Sequence, residues 1–317
     1  MTISCIVPNY NHAPFLEERL DSILAQTRVP DEIILLDDCS TDDSRDILKD
    51  YAERYPNLIS CHFNAENSGG PFPQWNRGVE IAKGDIIWIA ESDDSSHPTF
   101  LETTCNLLEA DATLTLSYTQ SLNIDRGGNH LGNLLISGAP HTPGKWDSDA
   151  VWEADEMIRD SLGIFCSIPN ASSAVFRKEA YLQDGGADES LRMAGDWKTW
   201  LSIAATGGRI AYLATPLNLH RCHGGTVRSA KVATGTNLLE SYKVLKWADQ
   251  CGILEPETKR LAQAYFRWVW ILQQGPERQT TDNLNIAKEA WKFDPKASIM
   301  ALRMILKRRL GILKPLN

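Results

Sequence analysis

The sequence predicts an α/β protein: a mainly parallel sheet flanked by helices, Rossmann-like in its alternation, with a C-terminal helical extension. Three observations lead there. Short apolar runs alternate with helical periods from the N-terminus to about residue 110. Two of those runs end in paired aspartates, Asp37-Asp38 and Asp93-Asp94. From Leu238 onward the spacing is helical throughout. A chain of 317 residues exceeds the usual single-domain size, so we expect one α/β domain over 1–225 and a helical extension over 226–317.

The elements follow in order. Ile3–Val7 reads as a short buried strand. Pro14 falls at a helix start, with Glu17 and Glu18 at its favourable positive end and Leu16, Leu20, Ile23 and Leu24 at helical spacing. Asp31–Leu36 is the second strand, and Ser40 to Ser44 caps a helix to about Tyr55. Leu58–Phe63 is the third strand, Asn67 to Gly70 a loop, and Pro73 to Lys83 a helix. Ile86–Ala90 is the fourth strand, and Pro98 opens another helix. Leu114–Tyr118, Ala174–Phe176 and Arg209–Leu213 read as strands and Leu191–Ala205 as a helix. Residues 126–149, rich in Gly, Pro, His and Asn, read as a long loop of the kind that covers an active site, and 224–236 as a loop or linker. In the C-terminal part, Leu238, Tyr242 and Leu245 share one face; Leu261, Ala264, Tyr265, Trp268 and Leu272 share another. Ligands of such sheets bind at the carboxyl ends of the strands.

Composition narrows the function. A net charge of −9 with no basic stripe before the C-terminal stretch excludes a general nucleic-acid binder. Seven cysteines without CxxC or CxxH spacing argue against a disulfide framework or structural zinc and suit a reducing cytosol. The chain opens directly on its first strand, and no apolar stretch reaches about eighteen residues, so a cytoplasmic protein without a spanning helix is expected. Ten tryptophans serve either as core filling or as platforms under sugar rings. Between Ser298 and Lys314, Ile299, Leu302, Ile305, Leu306 and Leu310 lie on one arc, with Arg303, Lys307 and Arg308 mostly off it and no acid. Such a helix either lies peripherally on an anionic membrane or docks on the acidic body of the same protein.

The chemistry concentrates at Asp85-Ile-Ile-Trp-Ile-Ala-Glu-Ser-Asp-Asp94. A buried strand delivers its last residues to the edge of the sheet, and adjacent carboxylates there repel unless a cation sits between them and something anionic. The simplest use is a divalent metal that holds a diphosphate. The first strand is followed by Pro8-Asn-Tyr-Asn11 rather than GxGxxG, and GxxxxGK[ST] does not occur. A metal is thus left as the phosphate holder, with Asp93-Asp94 as its natural ligands. Asp37-Asp38 is a helix-capping strand end or a ligand contact. His220 and His223, three apart, are a metal pair or structural. Asp196 is an N-cap of a helix beginning at Trp197, a catalytic carboxylate, or both.

Val7-Pro-Asn-Tyr-Asn11, Asp37-Asp-Cys-Ser-Thr-Asp42, Asn76-Arg-Gly78, Ala82-Lys-Gly-Asp85 and Glu91-Ser-Asp-Asp94 together resemble, in order and spacing, the GT-A fold family 2 glycosyltransferases over roughly residues 1–225. The resemblance implies an inverting enzyme, dependent on manganese or magnesium. It would move a sugar from a nucleotide-diphosphate sugar to a hydroxyl of a saccharide or lipid-linked acceptor, as in surface polysaccharide synthesis. By position it implies that Pro8 and Tyr10 border the base and that Asp38 accepts from the base imide or the ribose. Asn76 and Gly78 would line the nucleotide-sugar site. Asp94 would ligate the metal and Asp93 reach the ribose or sugar. Arg221 would pair with a phosphate, and His223 would be a third metal ligand. Ala187 to Leu201 resembles the segment of the general base, with Asp196 in its place. One base suffices, because the metal stabilises the leaving diphosphate.

Two positions depart from the family pattern: Glu91 stands where aspartate is common, and Gly195 where an acid often precedes the base, leaving Asp188 or Glu189 as substitutes. Ser172 and Ser173 are candidates to line the donor pocket; Asn170-Ala-Ser172 fits a glycosylation sequon that a cytosolic protein would not use. A sugar-phosphate nucleotidyltransferase would want a glycine-rich basic loop after the first strand. A non-catalytic sugar-nucleotide-binding protein would have no need of Asp93, Asp94 and Asp196 together.

Overall fold

The computed structural model describes residues 1–134, 142–168, 170–183, 185–222, 235–273 and 280–309, with side chains to 306. The N-terminal half alternates as the apolar periods predict: β1 (Ile3–Asn9), α1 (Ala13–Leu24), β2 (Glu32–Asp37), α2 (Ser44–Arg54), β3 (Ile59–Phe63), α3 (Pro71–Ile81), β4 (Ile86–Ile89), the two-residue β5 (Ser95–Ser96) and α4 (Phe100–Ala110). Then come β6 (Leu114–Ile124), β7 (His130–Asn133), β8 (Ala150–Glu153), α5 (Ala154–Met157) running into a π-turn over Ile158–Leu162, and a 3₁₀ turn over Ala171–Ser173. They are followed by β9 (Ala174–Arg177), α6 (Lys178–Gln183), α7 (Gly195–Ala205) and β10 (Arg209–Arg221). Four helices complete the described chain: α8 (Thr236–Gln250), α9 (Pro256–Leu272), α10 (Thr280–Ala290) and α11 (Pro295–Arg309).

Among the described residues the strands form one ten-stranded sheet of order β3-β2-β1-β4-β9-β6-β10-β5, with β7 on β6 and β8 on β10. β3, β2, β1 and β4 are parallel, β6 and β10 are parallel, and β9 joins the two groups antiparallel to both neighbours. Alternation within the strands supplies a core on each face. Cys5, Val7, Ile33, Leu35 and Trp88 pack on the side of α1, α2 and α4. Ile6, Ile34, Leu36, Ile87 and Ile89 pack on the side of α3 and α7, in one continuous cluster that takes in Leu238, Tyr242, Phe266, Trp270 and Phe293 of the C-terminal helices. Gly78 lets α3 lie directly on β1, because a Cβ there would run into the side chains of Ile6 and Leu36. It is a packing glycine rather than a lining of the site.

Several elements depart from expectation. β6 and β10 extend well past Tyr118 and Leu213, carried across register shifts near Leu213 and Pro216 that interrupt any simple alternation. The helix expected from Leu191 starts at Gly195. On α9 the buried stripe is Thr258, Ala262, Phe266 and Trp270, and Trp268 and Leu272 are exposed. On α11 small residues make the inner contact: Ala297, Ala301 and Ile305 are buried, and Ile299, Leu302 and Leu306 face outward. Most described tryptophans are core residues, Trp75, Trp88, Trp200 and Trp270 fully so, with Trp268 and Trp291 exposed. The linker expected at 224–236 lies largely outside the described residues, as do His223 and part of the 126–149 loop.

Candidate active site

The carboxyl ends of β1, β2 and β4 lie side by side, and the loops that leave them are cross-tied. Asn11 and Cys39 both adopt left-handed backbone, at φ 57° and 66°. Each is a strained conformation for a non-glycine residue, held by its surroundings. Those surroundings are hydrogen bonds between the two loops: Asn11 N–H donates to Ser40 Oγ at 2.9 Å and Asn11 Oδ1 accepts from Thr41 N–H at 2.8 Å. Pro8 is buried within β1 opposite Leu36, and Tyr10 just past the strand end is 47% exposed.

The two aspartates that end β2 divide as the sequence allows. Asp37 is the structural one: it accepts from Asn9 Nδ2, Ser40 N–H and Arg45 Nε. Burial works to raise its pKa, yet the bonds from Ser40 and Arg45 hold it below its usual value. Asp38, 3% exposed, sits under the next loop. Its Oδ1 accepts from Asn64 Nδ2 at 2.7 Å, Ser68 N–H at 2.8 Å and Gln74 Nε2 at 2.9 Å; its Oδ2 accepts from Ser68 Oγ at 2.8 Å. A carboxylate oxygen can accept two donors, and Oδ2 takes one of these four.

The acidic end of β4 holds three carboxylates in different states. Glu91 accepts from Trp75 Nε1 at 3.0 Å, and burial together with the charges of Asp93 and Asp94 pushes its pKa up to about 8. Asp94 is 2% exposed and bound on all sides: Oδ2 accepts from Ser172 Oγ at 2.7 Å and Asn170 Nδ2 at 3.0 Å, and Oδ1 accepts from Arg221 N–H at 3.0 Å with His220 Nδ1 at 3.3 Å. Burial works to raise its pKa, and His220 with these hydrogen bonds more than offsets it, holding the carboxyl well below the usual range. Asp93 is half-buried. Behind the three lies Arg19, fully buried over the Trp88 ring at 4.7 Å, its NH1 donating to Ser96 Oγ. Burial lowers its pKa while the charges of Cys5, Asp94, Glu91 and Asp93 oppose the fall.

This geometry bears on several sequence expectations. Asp94, expected to ligate a metal, has both carboxylate oxygens in hydrogen bonds that join β4 to β10 and the 3₁₀ turn. Asn170, Ser172 and Ser173 are buried behind it and do not line an open pocket. Arg221, expected to meet a phosphate, is 1% exposed, because its guanidinium is spent on protein. Nε donates to the Asp93 carbonyl at 2.8 Å, NH1 to the carbonyls of Asp125 and Arg126, and NH2 pairs with Glu18 at 2.6 Å over the Phe15 ring. Asn76 is likewise committed: Nδ2 donates to Ala187 O and Glu189 Oε1, and Oδ1 accepts from Tyr181 Oη and Ala187 N–H. It pins α3 to the loop before the base segment.

Asp196 lies in the first turn of α7, whose N-cap is Ala194, so it is not itself the cap. Gly195 is required where an acid could stand, because a Cβ there would run into the ring of Phe72. Phe72 and Trp75 meet edge to face at 5.2 Å, and Trp75 donates to Glu91. One turn of α3 therefore separates Gly195 from Glu91. The two neighbouring acids have partners of their own. Asp188 pairs with Lys198 at 2.8 Å, and burial, which raises its pKa, is outweighed by Lys198 and Ser190, leaving it at about 2. Glu189 accepts from Asn76. Among the described residues no three His, Cys, Asp or Glu side chains converge on a metal position. Sequence reasoning missed Trp75, Phe72, Arg19 and His12, whose Nδ1 lies 2.8 Å from Ser92 Oγ. Phe72, Trp75 and Arg19 sit at ordinary helical positions, and His12 is a loop residue at the N-cap of α1, just past the Val7–Asn11 motif.

A mixed sheet flanked by helices on both faces, with parallel strands β1 to β4 and carboxylates gathered at their edge, has the architecture of the GT-A glycosyltransferases. The sequence profile of glycosyl transferase family 2 matches residues 4–181, and the chain belongs to that family. An uncharacterized glycosyltransferase of Nostoc is 39% identical over 257 residues, 79% of this chain and 74% of its own length. The poly(ribitol-phosphate) beta-glucosyltransferase of Bacillus spizizenii is 43% identical over 96 residues, 30% of this chain; the match spans 15% of that protein's length. Among solved structures, Staphylococcus aureus TarS superposes with a TM-score of 0.70 at 16% identity, over 98% of this chain and 53% of that one. The mannosyltransferase PcManGT of Pyrobaculum calidifontis, in complex with GDP-Man and Mn2+, superposes with a TM-score of 0.61 at 19% identity, over 98% and 81%.

Proposed function

We propose that the protein is an inverting glycosyltransferase that moves a sugar from a nucleotide-diphosphate sugar to a hydroxyl of a saccharide or lipid-linked acceptor in surface polysaccharide synthesis. The observation that carries this reading is the contact path Gly195–Phe72–Trp75–Glu91, which brings a base candidate and the donor-side carboxylates to opposite sides of one aromatic turn. Asp196 takes the proton of the acceptor hydroxyl as its oxygen attacks the anomeric carbon. The bond to the diphosphate breaks on the opposite face, and the configuration inverts. Tyr10 and Pro8 border the base, and Asp38 offers Oδ2 to a base or ribose donor.

A divalent cation fits the residues present. Glu91 and Asp93 are hard oxygen donors, and Glu91 is held at a raised pKa by burial and by the negative charges of Asp93 and Asp94. Magnesium- and manganese-type sites at phosphates take one or two protein carboxylates and complete their shell with phosphate and water. We therefore assign the cation to Asp93 and Glu91, with Asp94 as the brace beneath them and His223 as a further ligand. When bound, the cation offsets the charge of the departing diphosphate. Manganese in PcManGT and the UDP-GlcNAc complex of TarS support the same donor class here.

No helix of the described residues is long and apolar enough to cross a membrane. We place the enzyme in the cytoplasm, touching the membrane peripherally through α10 and α11. There Leu284, Trp291 and Leu302 line a groove of about 340 Å³ beside Lys288, and Leu306 extends the apolar stripe. The catalytic reading is tested by incubating the protein with manganese and a panel of sugar nucleotides and following donor hydrolysis. Turnover that is lost in Asp196→Asn with donor binding intact supports it. A fully active Asp196→Asn refutes the base assignment, and nucleotide binding without turnover across donors and acceptors indicates a non-catalytic binding protein.

A further inference from the structure

Helix α7 has no side-chain cap of its own. Alanine at an N-cap satisfies none of the N–H groups that a helix start leaves open. Just ahead of it, three successive backbone N–H groups, those of Arg192, Met193 and Ala194, point to one carboxylate: that of Glu240 on α8. Glu240 Oε2 accepts from Arg192 N–H at 3.0 Å, Met193 N–H at 2.7 Å and Ala194 N–H at 3.0 Å, and Oε1 lies 3.0 Å from Arg192 N–H as well. Glu240 is only 4% exposed. A carboxylate that deep is costly unless charge-assisted bonds repay it, and consecutive N–H groups at a helix start form a concave site for an anion.

The segment so held touches both the loop over Asp38 and helix α3. The Arg192 guanidinium lies against Gly69 and Gly70, where an added Cβ would meet it at 3.1 Å. The adjoining Ser68 binds Asp38 through both its N–H and its hydroxyl. On the other side, Gly195 is backed by the Phe72 ring. Further along the same two helices, Lys198 of α7 lies over the Trp247 ring of α8 at 4.8 Å.

We propose that Glu240 is a positioning residue for glycosyl transfer: from the C-terminal helices it clamps the backbone of residues 192–194 and so fixes the direction of Asp196. The proposal rests on the reading of Asp196 as the base. It makes α8 part of the positioning of the base through the backbone that Glu240 holds.

The test uses the full chain with manganese and whichever sugar nucleotide the wild type turns over. Glu240→Ala is compared with Glu240→Gln, which keeps one carbonyl oxygen for the position Oε2 occupies. A misplacement of about 1 Å at a reacting group costs on the order of a hundredfold in rate. The expected result for Glu240→Ala is a kcat reduced about tenfold to a hundredfold, with donor affinity unchanged and amide hydrogen exchange accelerated selectively at 192–194. Glu240→Gln recovers most of the rate and protection. Asp196→Asn is measured alongside. If Asp196→Asn is inactive and Glu240→Ala keeps wild-type kcat, the positioning role alone falls. If Asp196→Asn is fully active, the base reading falls and takes the proposal with it. If neither Glu240 variant folds, or kcat and donor affinity fall together, Glu240 is a general structural residue and the proposal is overturned.

Discussion

Arg221 separates two incompatible pictures of this site, so its replacement by methionine is informative. If Arg221 meets a donor phosphate, as its place in the sequence suggests, Arg221→Met weakens nucleotide binding and leaves the fold intact. The structure predicts the reverse. The Asp93 carbonyl loses a buried donor, which costs about 1–3 kcal/mol. The carbonyls of Asp125 and Arg126 lie in a turn where Arg126 is exposed, so water replaces the guanidinium there at little cost. Glu18 is half-exposed, and an ion pair with such a partner contributes about 1 kcal/mol or less. Loss of the cation over Phe15 adds roughly 1–2 kcal/mol in a desolvated setting, part of which methionine recovers. The expected destabilisation is about 3 kcal/mol, in the lower part of the range for a broken buried pair. Urea unfolding reads it as a lower midpoint at unchanged slope. UDP affinity of the folded variant is measured in parallel, with and without manganese, and is expected to stay within about twofold, or 0.4 kcal/mol, without the metal. A variant within about 0.5 kcal/mol of wild-type stability that has lost metal-free UDP binding would refute the buried-clamp reading.

Four further outcomes follow from the contacts of the site. Asp94→Asn turns its NH2 either toward the Ser172 and Asn170 donors or toward Arg221 N–H and is expected to cost about 3 kcal/mol, read by denaturation. Asp93→Asn leaves the melting point near wild type and weakens manganese-dependent nucleotide binding by at least about tenfold, read by calorimetry. Gly195→Ala drives a methyl group into the Phe72 ring and is expected to cost about 1–3 kcal/mol and to lower kcat; a neutral, fully active variant would show that α7 can shift freely. Asp37 is depressed in the folded state, so its stabilisation is fully present above its unfolded pKa of about 3.9 and is lost as pH falls through the lower folded value. Asp37→Asn removes that contribution at pH 7 and flattens the acid limb of a melting-temperature profile.

The first four parallel strands were legible because each is a short apolar run bounded by turn residues, a pattern set by local burial. β7, β8 and the far ends of β6 and β10 were not, because their pairing is non-local and register shifts near Leu213 and Pro216 break the alternation. In the site, type and place in the sequence put Asp38 and Asp93 at strand ends and Asp196 at a helix start, where the structure has them. Which way a side chain turns was not legible. Asp94 and Arg221 occupy motif positions yet point inward, since the partners that draw them there, Asn170, Ser172 and Glu18, are remote in sequence. The same limit hid Glu240, which in the sequence is one acid on an ordinary amphipathic helix.

The helical extension bears on the catalytic half through more than Glu240. Trp197 of α7 stacks on Phe266 of α9 at 5.7 Å and donates through Nε1 to Leu162 O, so the helix carrying Asp196 is walled by aromatic residues from beyond position 236. Tyr242 of α8 is fully buried among Phe266, Trp270 and Phe293. A chain cut after residue 225 would bare the Trp197 face of α7 and leave the N–H groups of 192–194 without their anion. The sheet edge that holds Asp38, Asp93 and Asp94 draws its contacts from β1, β2, β4, β10 and the 3₁₀ turn, all of which precede the cut. Such a fragment should therefore keep nucleotide contacts better than turnover. On the proposed roles, donor binding and base alignment would depend on different parts of the chain, and that separation is what would let a remote helix change kcat.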